Sequence, residues 1–372
     1  MTRIEGVELH RVRLPLVRTM RTSSHSKDFL EHILVKLTAS DGATGWGEIA
    51  SPSGPFFSAE TVASCWAVAR DHLAPLARSV SWEHPAELAA VLARVRGNHF
   101  ARAGFDMAAW ALFASVRGVS LAAALGGTRT QVEVGVSLGI EPTVDELLAH
   151  AEQRVGEGYR RLKLKIAPGW DVEPVRAVRA AFPAVPLHVD ANGAYTEDDG
   201  DVLVRLDGFG LLMIEQPFAP RALLAHAALQ QRIDTPICLD ESIEELDDLA
   251  TALHLGALRI LNIKVSRMGG LTAALAAHRR AFDAGLPIWC GGMYEFGIGR
   301  AASLAISALP GFTLPSDVSG SDKYYARDIT TEPVVNTGGL VDVPAVPGLG
   351  REPDLEFLAA QTTDRLAIGA PR

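Results

Sequence analysis

A lysine, three carboxylates and a second lysine recur through the middle of the chain at nearly constant spacing. Lys165, Asp190, Glu215, Asp240 and Lys264 each close a short apolar run, one about every 25 residues. In Arg161-Leu162-Lys163-Leu164-Lys165-Ile166 lysine alternates with aliphatic residues. In an extended strand that pattern puts both ammonium groups on one face and Leu162, Leu164 and Ile166 on the other. Three converging carboxylates, Asp190, Glu215 and Asp240, supply hard oxygen ligands to an octahedral Mg²⁺, with Mn²⁺ or another divalent ion as a substitute, and leave positions for water and substrate. Histidine and cysteine are missing from the equivalent positions, which disfavours zinc. A lysine acts as a base only when its pKa is depressed, and the Lys163 ammonium, a divalent ion and burial are each expected to depress that of Lys165. The chemistry this permits is removal of the α-proton of a metal-bound carboxylate on one face and delivery on the other, through an enolate, with Lys165 and Lys264 as the acid–base pair.

The elements that must carry these residues follow from the spacing. About 25 residues accommodate a strand, a loop, a helix of about a dozen residues and a return loop, which is one βα unit. Runs ending at Asp190, Glu215, Asp240 and Lys264 repeat that unit. Short apolar strands in such a repeat imply a parallel sheet covered by helices, and polar residues at their C-terminal ends imply a closed α/β barrel. The repeat is expected to begin at residues 132–137, which include Ser137. Thr143-Val144-Asp145-Glu146 then forms a capping box, and Ser242-Ile243-Glu244-Glu245 repeats the signature. Beyond Lys264 the pattern predicts an alanine-rich helix to about Ala284, a seventh strand at 287–292 and an eighth at Phe312-Thr313-Leu314. His188, Cys238 and Asn262 lie two residues before Asp190, Asp240 and Lys264, one layer deeper, as packing and hydrogen-bond partners. Asn192 and Glu241 fall just past the ring and are expected to support it from outside, while Gly291 and Gly292 let a substrate approach the backbone.

The first 130 residues read differently. Residues 32–37 and 44–48 flank Asp41-Gly42 as a hairpin or meander. Helices are expected from Ser58 to about Leu76, from Pro85 to about Arg96, and from about Ala101 to Val116, with Gly118 as a stop. The expected division is an α+β domain over 1–130, a barrel over 131–320 and a tail over 321–372 that returns to the first domain. Loops at 18–28 and 50–58 mix turn formers with aromatic residues, and at least one is expected to act as a lid that excludes water from the barrel mouth. The formal charge of −9 and the absence of a basic run argue against a nucleic-acid or anionic-membrane partner. No signal-like or membrane-spanning apolar segment emerges, and three widely spaced cysteines fit a reducing, cytoplasmic setting.

Lys163-Leu164-Lys165, Val189-Asp190-Ala191-Asn192, Ile214-Glu215-Gln216-Pro217, Leu239-Asp240-Glu241-Ser242 and Asn262-Ile263-Lys264 resemble the enolase superfamily, muconate-lactonizing subgroup, for which a lysine base beside Mg²⁺ is established. Ile166-Ala167-Pro168-Gly169-Trp170-Asp171, Arg267-Met268-Gly269-Gly270, residues 289–295 and residues 317–322 resemble the o-succinylbenzoate synthase/N-succinylamino acid racemase family. The resemblance implies a modified (β/α)7β barrel of the TIM type with an α+β capping domain, built from the N-terminal region and the C-terminal tail. It implies Mg²⁺ on Asp190, Glu215 and Asp240, and Lys165 and Lys264 as acid–base pair. Lys163 and Asn192 would sit near the substrate carboxylate, and Ser137 and the Gly292-Met293 backbone near the acyl end. Arg267 looks like the arginine of members able to racemise and is counted among the substrate-binding residues. The implied activity is racemisation of N-succinylamino acids, with o-succinylbenzoate formation by syn dehydration in the same site and assembly as a homo-oligomer. Three departures bear on the acyl group or the cap: Phe57 where relatives carry tyrosine, Ala111 where they carry an acid, and Ser23-Ser24-His25 without a glycine.

The alternatives are a dedicated o-succinylbenzoate synthase, a dipeptide epimerase and a carboxylate-binding scaffold without turnover. An epimerase is expected to carry Asp-x-Asp at the eighth strand, where this chain has Asp317-Val318-Ser319. A sugar-acid dehydratase would place a histidine on strand seven, where Trp289-Cys290 stands.

Overall fold

The computed structural model describes residues 1–21 and 26–369. Its strands, in chain order, are β1 (Thr2–Arg21), β2 (Ser26–Ala39), β3 (Thr44–Ile49), β4 (Ser81–Trp82), β5 (Gln131–Glu133), β6 (Val136–Leu138) and β7 (Leu162–Lys165). There follow β8 (Leu187–Asp190), β9 (Ile214–Glu215), β10 (Ile237–Leu239), β11 (Ile260–Ile263), β12 (Ile288–Cys290), β13 (Leu340–Asp342) and β14 (Thr362–Ile368).

The first 50 residues form an antiparallel meander, β1-β2-β3, which β14 extends on the β1 side, with β4 beside the start of β1. Val7, Leu9, Val12 and Leu14 of β1 are buried, and the register of β1 against β14 shifts between Arg11 and Val12. The helix His99–Val116 packs directly on β3. Glycine permits this: a Cβ on Gly47 would lie 2.0 Å from the Gly104 carbonyl oxygen. The tail reaches this domain, as the sequence predicts, through β14 on β1. Its β13 pairs instead with β5, where the barrel begins.

The helices of this domain depart from their predicted limits. The first starts at Val62, because Thr61 and Ser64 cap each other reciprocally while Ser58 Oγ accepts only from Glu60 N. It widens to a π-turn over Ala69–Leu73 and resumes at Ala74–Arg78. Pro75, with no N–H and a ring that crowds the preceding turn, accounts for the widening. The second spans Pro85–Leu92. The third begins at His99, where the Glu60 carboxylate accepts Phe100 N and Ala101 N.

The parallel sheet runs β12-β11-β10-β9-β8-β7-β6, each strand buried from end to end except for half-exposed Ser137 in β6. Helices cover its outer face, starting with Val144–Gly156, which Thr143 caps by accepting Glu146 N as predicted. The predicted first strand breaks in two at Gly135, where a Cβ would lie 2.4 Å from the Arg161 guanidinium. The signature at Ser242 is also displaced: Glu245 caps the helix Leu246–Leu255 with Asp248, and Ser242 serves Gln216. The eighth position is no regular strand. Residues 312–317 close the barrel through single bridges, Phe312 to Ile288 and Ser316 to Val134, with Asp317 N donating to Cys290 O at 2.8 Å. Pro315, which has no N–H, interrupts the ladder there.

Two carboxylates of the capping domain lock it to the barrel, each at a helix N-terminus. Glu48 of β3 accepts Phe296 N and Gly299 N, both at 2.8 Å, at the start of Gly297–Ser307. Asp106 accepts Thr272 N at 2.9 Å and Thr272 Oγ1 at 2.6 Å, at the start of Leu271–Asp283. Anionic side chains match the positive ends of these helices and satisfy N–H groups that have no intrahelical partner.

Candidate active site

Strand β7 puts Lys163 and Lys165 on the barrel interior, both buried. Lys163 Nζ lies 2.8 Å from Asp190 Oδ2, 2.7 Å from Glu215 Oε2 and 3.4 Å from Asp317 Oδ2. Lys165 Nζ lies 2.7 Å from Asp190 Oδ2 and also donates to Asn192 Oδ1. Across the arc, Lys264 Nζ is 2.6 Å from Asp240 Oδ2. Asp190, Glu215 and Asp240 each offer an oxygen, all within 4.8 Å of one another.

The donor set fits a hard divalent cation. Glu215 Oε2 is buried without a properly oriented hydrogen bond, although Lys163 Nζ is close. Burial and the Asp190 charge push the Glu215 carboxyl up to about 8, and burial with Asp240 pushes Glu241 up to about 7. So much buried negative charge calls for more positive charge at that point, and three oxygen donors are the ligands such a cation prefers.

Among the protein's own charges, the balance expected at Lys165 is reversed. Burial is the largest influence on Lys165 and lowers its pKa, as does the Lys163 charge, yet the groups that raise it, Asp190 foremost with Glu215 behind, prevail together, so Lys165 stands above its ordinary value. Lys163 is likewise raised, Asp190 and Glu215 prevailing over burial. Sequence reasoning counted the neighbouring ammonium and omitted a carboxylate 2.7 Å away. Asp190 is correspondingly held low: burial would raise it, and Lys163 and Lys165 prevail.

Beneath the arc, Asn262 Nδ2 donates to Glu215 Oε1 at 2.8 Å and Asn262 Oδ1 accepts Gly291 N at 2.9 Å. Trp289 Nε1 donates to Cys238 Sγ at 3.3 Å. His188, 3.1 Å from Arg161 Nη1, is held well below the ordinary histidine range by burial and by the charges of Arg161 and Lys163. Arg267 occupies this lower layer too, not the cavity wall. Its guanidinium donates to Asp240 Oδ1, Ile243 O and Asn262 O. That corrects its expected place among substrate-binding residues: every donor nitrogen is spent on the floor, and it acts on substrate only through Asp240.

The cavity above has a volume of about 310 Å³, the size of a small-molecule site. Lys163, Lys165, Asn192, Glu241 and Lys264 line it together with Ser137, Gly292 and Met293. Pro52, Ser53, Phe56 and Phe57 from the 50–58 loop cover it, the Phe57 ring centroid 5.1 Å from Lys264 Nζ. Of the 18–28 loop, Arg18 and Thr19 line an adjoining cavity of about 330 Å³ that shares Ser137. Residues 22–25, part of that expected lid, lie outside the described residues. Ala111 is buried in the helix His99–Val116 and does not line the main cavity.

Several site residues escaped the sequence reading. Asp317 lines the cavity, bound to Arg161 Nη2 and near Lys163. Gln216 adopts φ +40° and ties two strand ends together, its Oε1 accepting Asp240 N at 3.0 Å and Ser242 N at 3.2 Å. Asn192 has φ +46°. Left-handed non-glycine residues within two positions of the ends of two ligand-bearing strands mark where backbone strain is stored. For Gln216 the available signal was a polar residue between Glu215 and Pro217.

A parallel barrel with buried lysines and a carboxylate triad at its strand ends, roofed by an antiparallel domain, defines a class, and comparison with known proteins agrees. Residues 146–357 match the family described as enolase C-terminal domain-like, and residues 5–126 match the mandelate racemase/muconate lactonizing enzyme N-terminal domain. The chain belongs to the enolase superfamily. Within it, the chain is 48% identical over 351 residues to an o-succinylbenzoate synthase of Geobacillus kaustophilus, covering 94% of each. It is 45% identical over 369 residues to an N-succinylamino acid racemase of an Amycolatopsis species, covering 99% of this chain and 100% of the relative. The crystal structure of an enolase-superfamily member from Listeria innocua superposes with a TM-score of 0.96 at 35% identity, covering 99% of each chain. The protein is thus an enzyme of the lyase and isomerase kind found among these relatives.

Proposed function

We propose that the protein racemises N-succinylamino acids by 1,1-proton transfer and forms o-succinylbenzoate by syn dehydration in the same site. The observation that carries this reading is that Lys165 and Lys264 line one cavity from opposite ends of the carboxylate arc. A divalent ion such as Mg²⁺, held by Asp190, Glu215 and Asp240, would bind the substrate carboxylate and stabilise the negative charge left when the α-proton departs. The chain's own groups do the rest. Racemisation requires one amine neutral to accept the proton and its counterpart protonated to return one on the other face, whereas syn dehydration needs a single lysine as base and then acid. Asn192 and Lys163 orient the substrate carboxylate, Ser137 and the Gly292-Met293 backbone face the acyl end, and Glu241 supports Asn192 through a 2.8 Å hydrogen bond. Phe56 and Phe57 screen the lysines from water. Dipeptide epimerisation is disfavoured: Asp317 is already paired with Arg161 and Lys163, leaving little charge for a substrate ammonium.

The test is α-proton exchange in D₂O with each enantiomer of an N-succinylamino acid, with and without Mg²⁺, beside conversion of the cyclohexadiene precursor of o-succinylbenzoate. Exchange and racemisation of both enantiomers sustain the proposal. Precursor turnover without exchange makes the protein a dedicated synthase, and metal binding with neither activity makes it a scaffold.

A further inference from the structure

The cavity holds one buried cation that nothing above uses. Arg300, on the helix Gly297–Ser307, lines the cavity at 3% exposure. Its Nε donates to Glu295 O at 2.9 Å and its Nη1 to Ser319 O at 2.6 Å. Its guanidinium carbon sits 4.5 Å from the Tyr324 ring centroid and 5.9 Å from that of Tyr325. All of these partners are neutral.

The other buried cations around the cavity are paired. Lys163 and Lys165 face Asp190, Lys264 and Arg267 face Asp240, and Arg161 holds Asp317. Among the described residues, no carboxylate reaches ion-pair distance of Arg300. The nearby acids, Asp328 and Glu295, act on Arg300 only through space, and each is held by other donors. Asp328 accepts Gly297 N, Ile329 N and Ser321 Oγ. Glu295 accepts the N–H groups of Met293 and of its own residue, and burial with Glu48 keeps its pKa up. Burying a guanidinium this deep carries a desolvation penalty that two carbonyls and two ring faces only partly offset.

We propose that Arg300 is the specificity residue for a second, distal carboxylate of the substrate, so that the cavity binds a dicarboxylate between the lysine arc and this guanidinium. The inference rests on the N-succinyl reading, since the succinyl chain ends in such a carboxylate, and it says how that end is selected. Arg300's surroundings suit the task. The Tyr324 hydroxyl, 3.2 Å from Ser319 Oγ, belongs to the same cavity lining, while Lys323 lines the adjoining cavity and donates to Ser137 O at 3.0 Å. The two tyrosine faces fix the guanidinium plane without neutralising it.

The competing role is a strut, in which Arg300 merely ties Glu295 O to Ser319 O. The two are separated by substrate preference: N-succinylphenylalanine against its terminal primary amide, equal in shape and uncharged. Wild type is expected to prefer the carboxylate in kcat/KM by on the order of 10²-fold. Arg300→Gln should erase the preference through KM for the carboxylate, and Arg300→Lys should retain part of it. Equal use of both substrates by wild type overturns the proposal, as does an unchanged ratio in Arg300→Gln with both rates reduced. If Arg300→Gln does not fold, the wild-type and Arg300→Lys ratios decide. Calorimetric binding of both ligands with Mg²⁺ reads the same preference without turnover, so a protein that racemises neither substrate still tests Arg300 while refuting racemisation.

Discussion

The floor and the roof of the cavity are built on different principles. The floor is a ring of strand ends in which every ionised side chain has a charged partner: Lys163 and Lys165 on Asp190, Lys264 and Arg267 on Asp240. Its geometry is fixed by parallel ladders that set Lys165 opposite Asp190 and Asp190 opposite Glu215. The roof is assembled from the 50–58 loop, the residues after β12 and the capping sheet. It is pinned by Glu48 and Asp106 on two barrel helices. On the proposed reading, the floor carries the chemistry and the roof selects which molecule reaches it. Loops on a rigid scaffold vary at little cost to the fold, whereas one displaced floor charge leaves another buried and unpaired.

Breaking the floor should have the largest effect. Lys165→Ala and Lys264→Ala are each expected to lower racemisation by about 10²–10⁴-fold. Each should still exchange the α-proton of a single enantiomer, opposite in the two variants, as followed by proton NMR in D₂O. Loss of both exchanges in either variant would show that the lysines do not act on separate faces. Next comes the layer below: Arg267→Met frees Asp240, and Mg²⁺ affinity should weaken about 10–100-fold in a calorimetric titration. Unchanged affinity would make Arg267 a packing residue.

Roof variants should be milder and selective. Phe57→Leu removes the ring over Lys264 and should lower kcat/KM about 3–10-fold for the enantiomer that Lys264 serves, sparing the other. Equal losses would place Phe57 in general shielding. The smallest effect on turnover is expected at the joint. Burial holds the Asp106 carboxyl up to about 6 against an ordinary 3.8, despite its bonds from Thr272. The folded protein then binds this proton more tightly than the unfolded chain. Its contribution is full below about pH 4 and is lost as pH rises through about 6, a difference on the order of 3 kcal/mol. Asp106→Asn should flatten that slope, read as Tm against pH from 4 to 8 for both proteins. An identical slope in the variant would remove Asp106 from the pH response.

The sequence by itself determined the repeat and the ring. Periodicity places Lys163, Lys165, Asp190, Glu215, Asp240 and Lys264 because strand alternation and the length of a βα unit are local rules. Local chemistry likewise put Thr143 at a helix start. The same rules failed where a distant residue intervened. Gly135 is needed because Arg161 lies against it, and Ser242 is turned to Gln216, so Glu245 caps the helix. Only the tertiary structure decided that Asp190 outweighs the Lys163 charge at Lys165, that Arg267 lies below the floor, and that Arg300 lines the cavity with no described carboxylate at ion-pair distance. Each of these depends on how many charges meet across separate elements, and burial multiplies what each is worth. Spacing along the chain carries the positions of side chains on one strand; the balance of charge among strands, loops and a second domain exists only once they are packed.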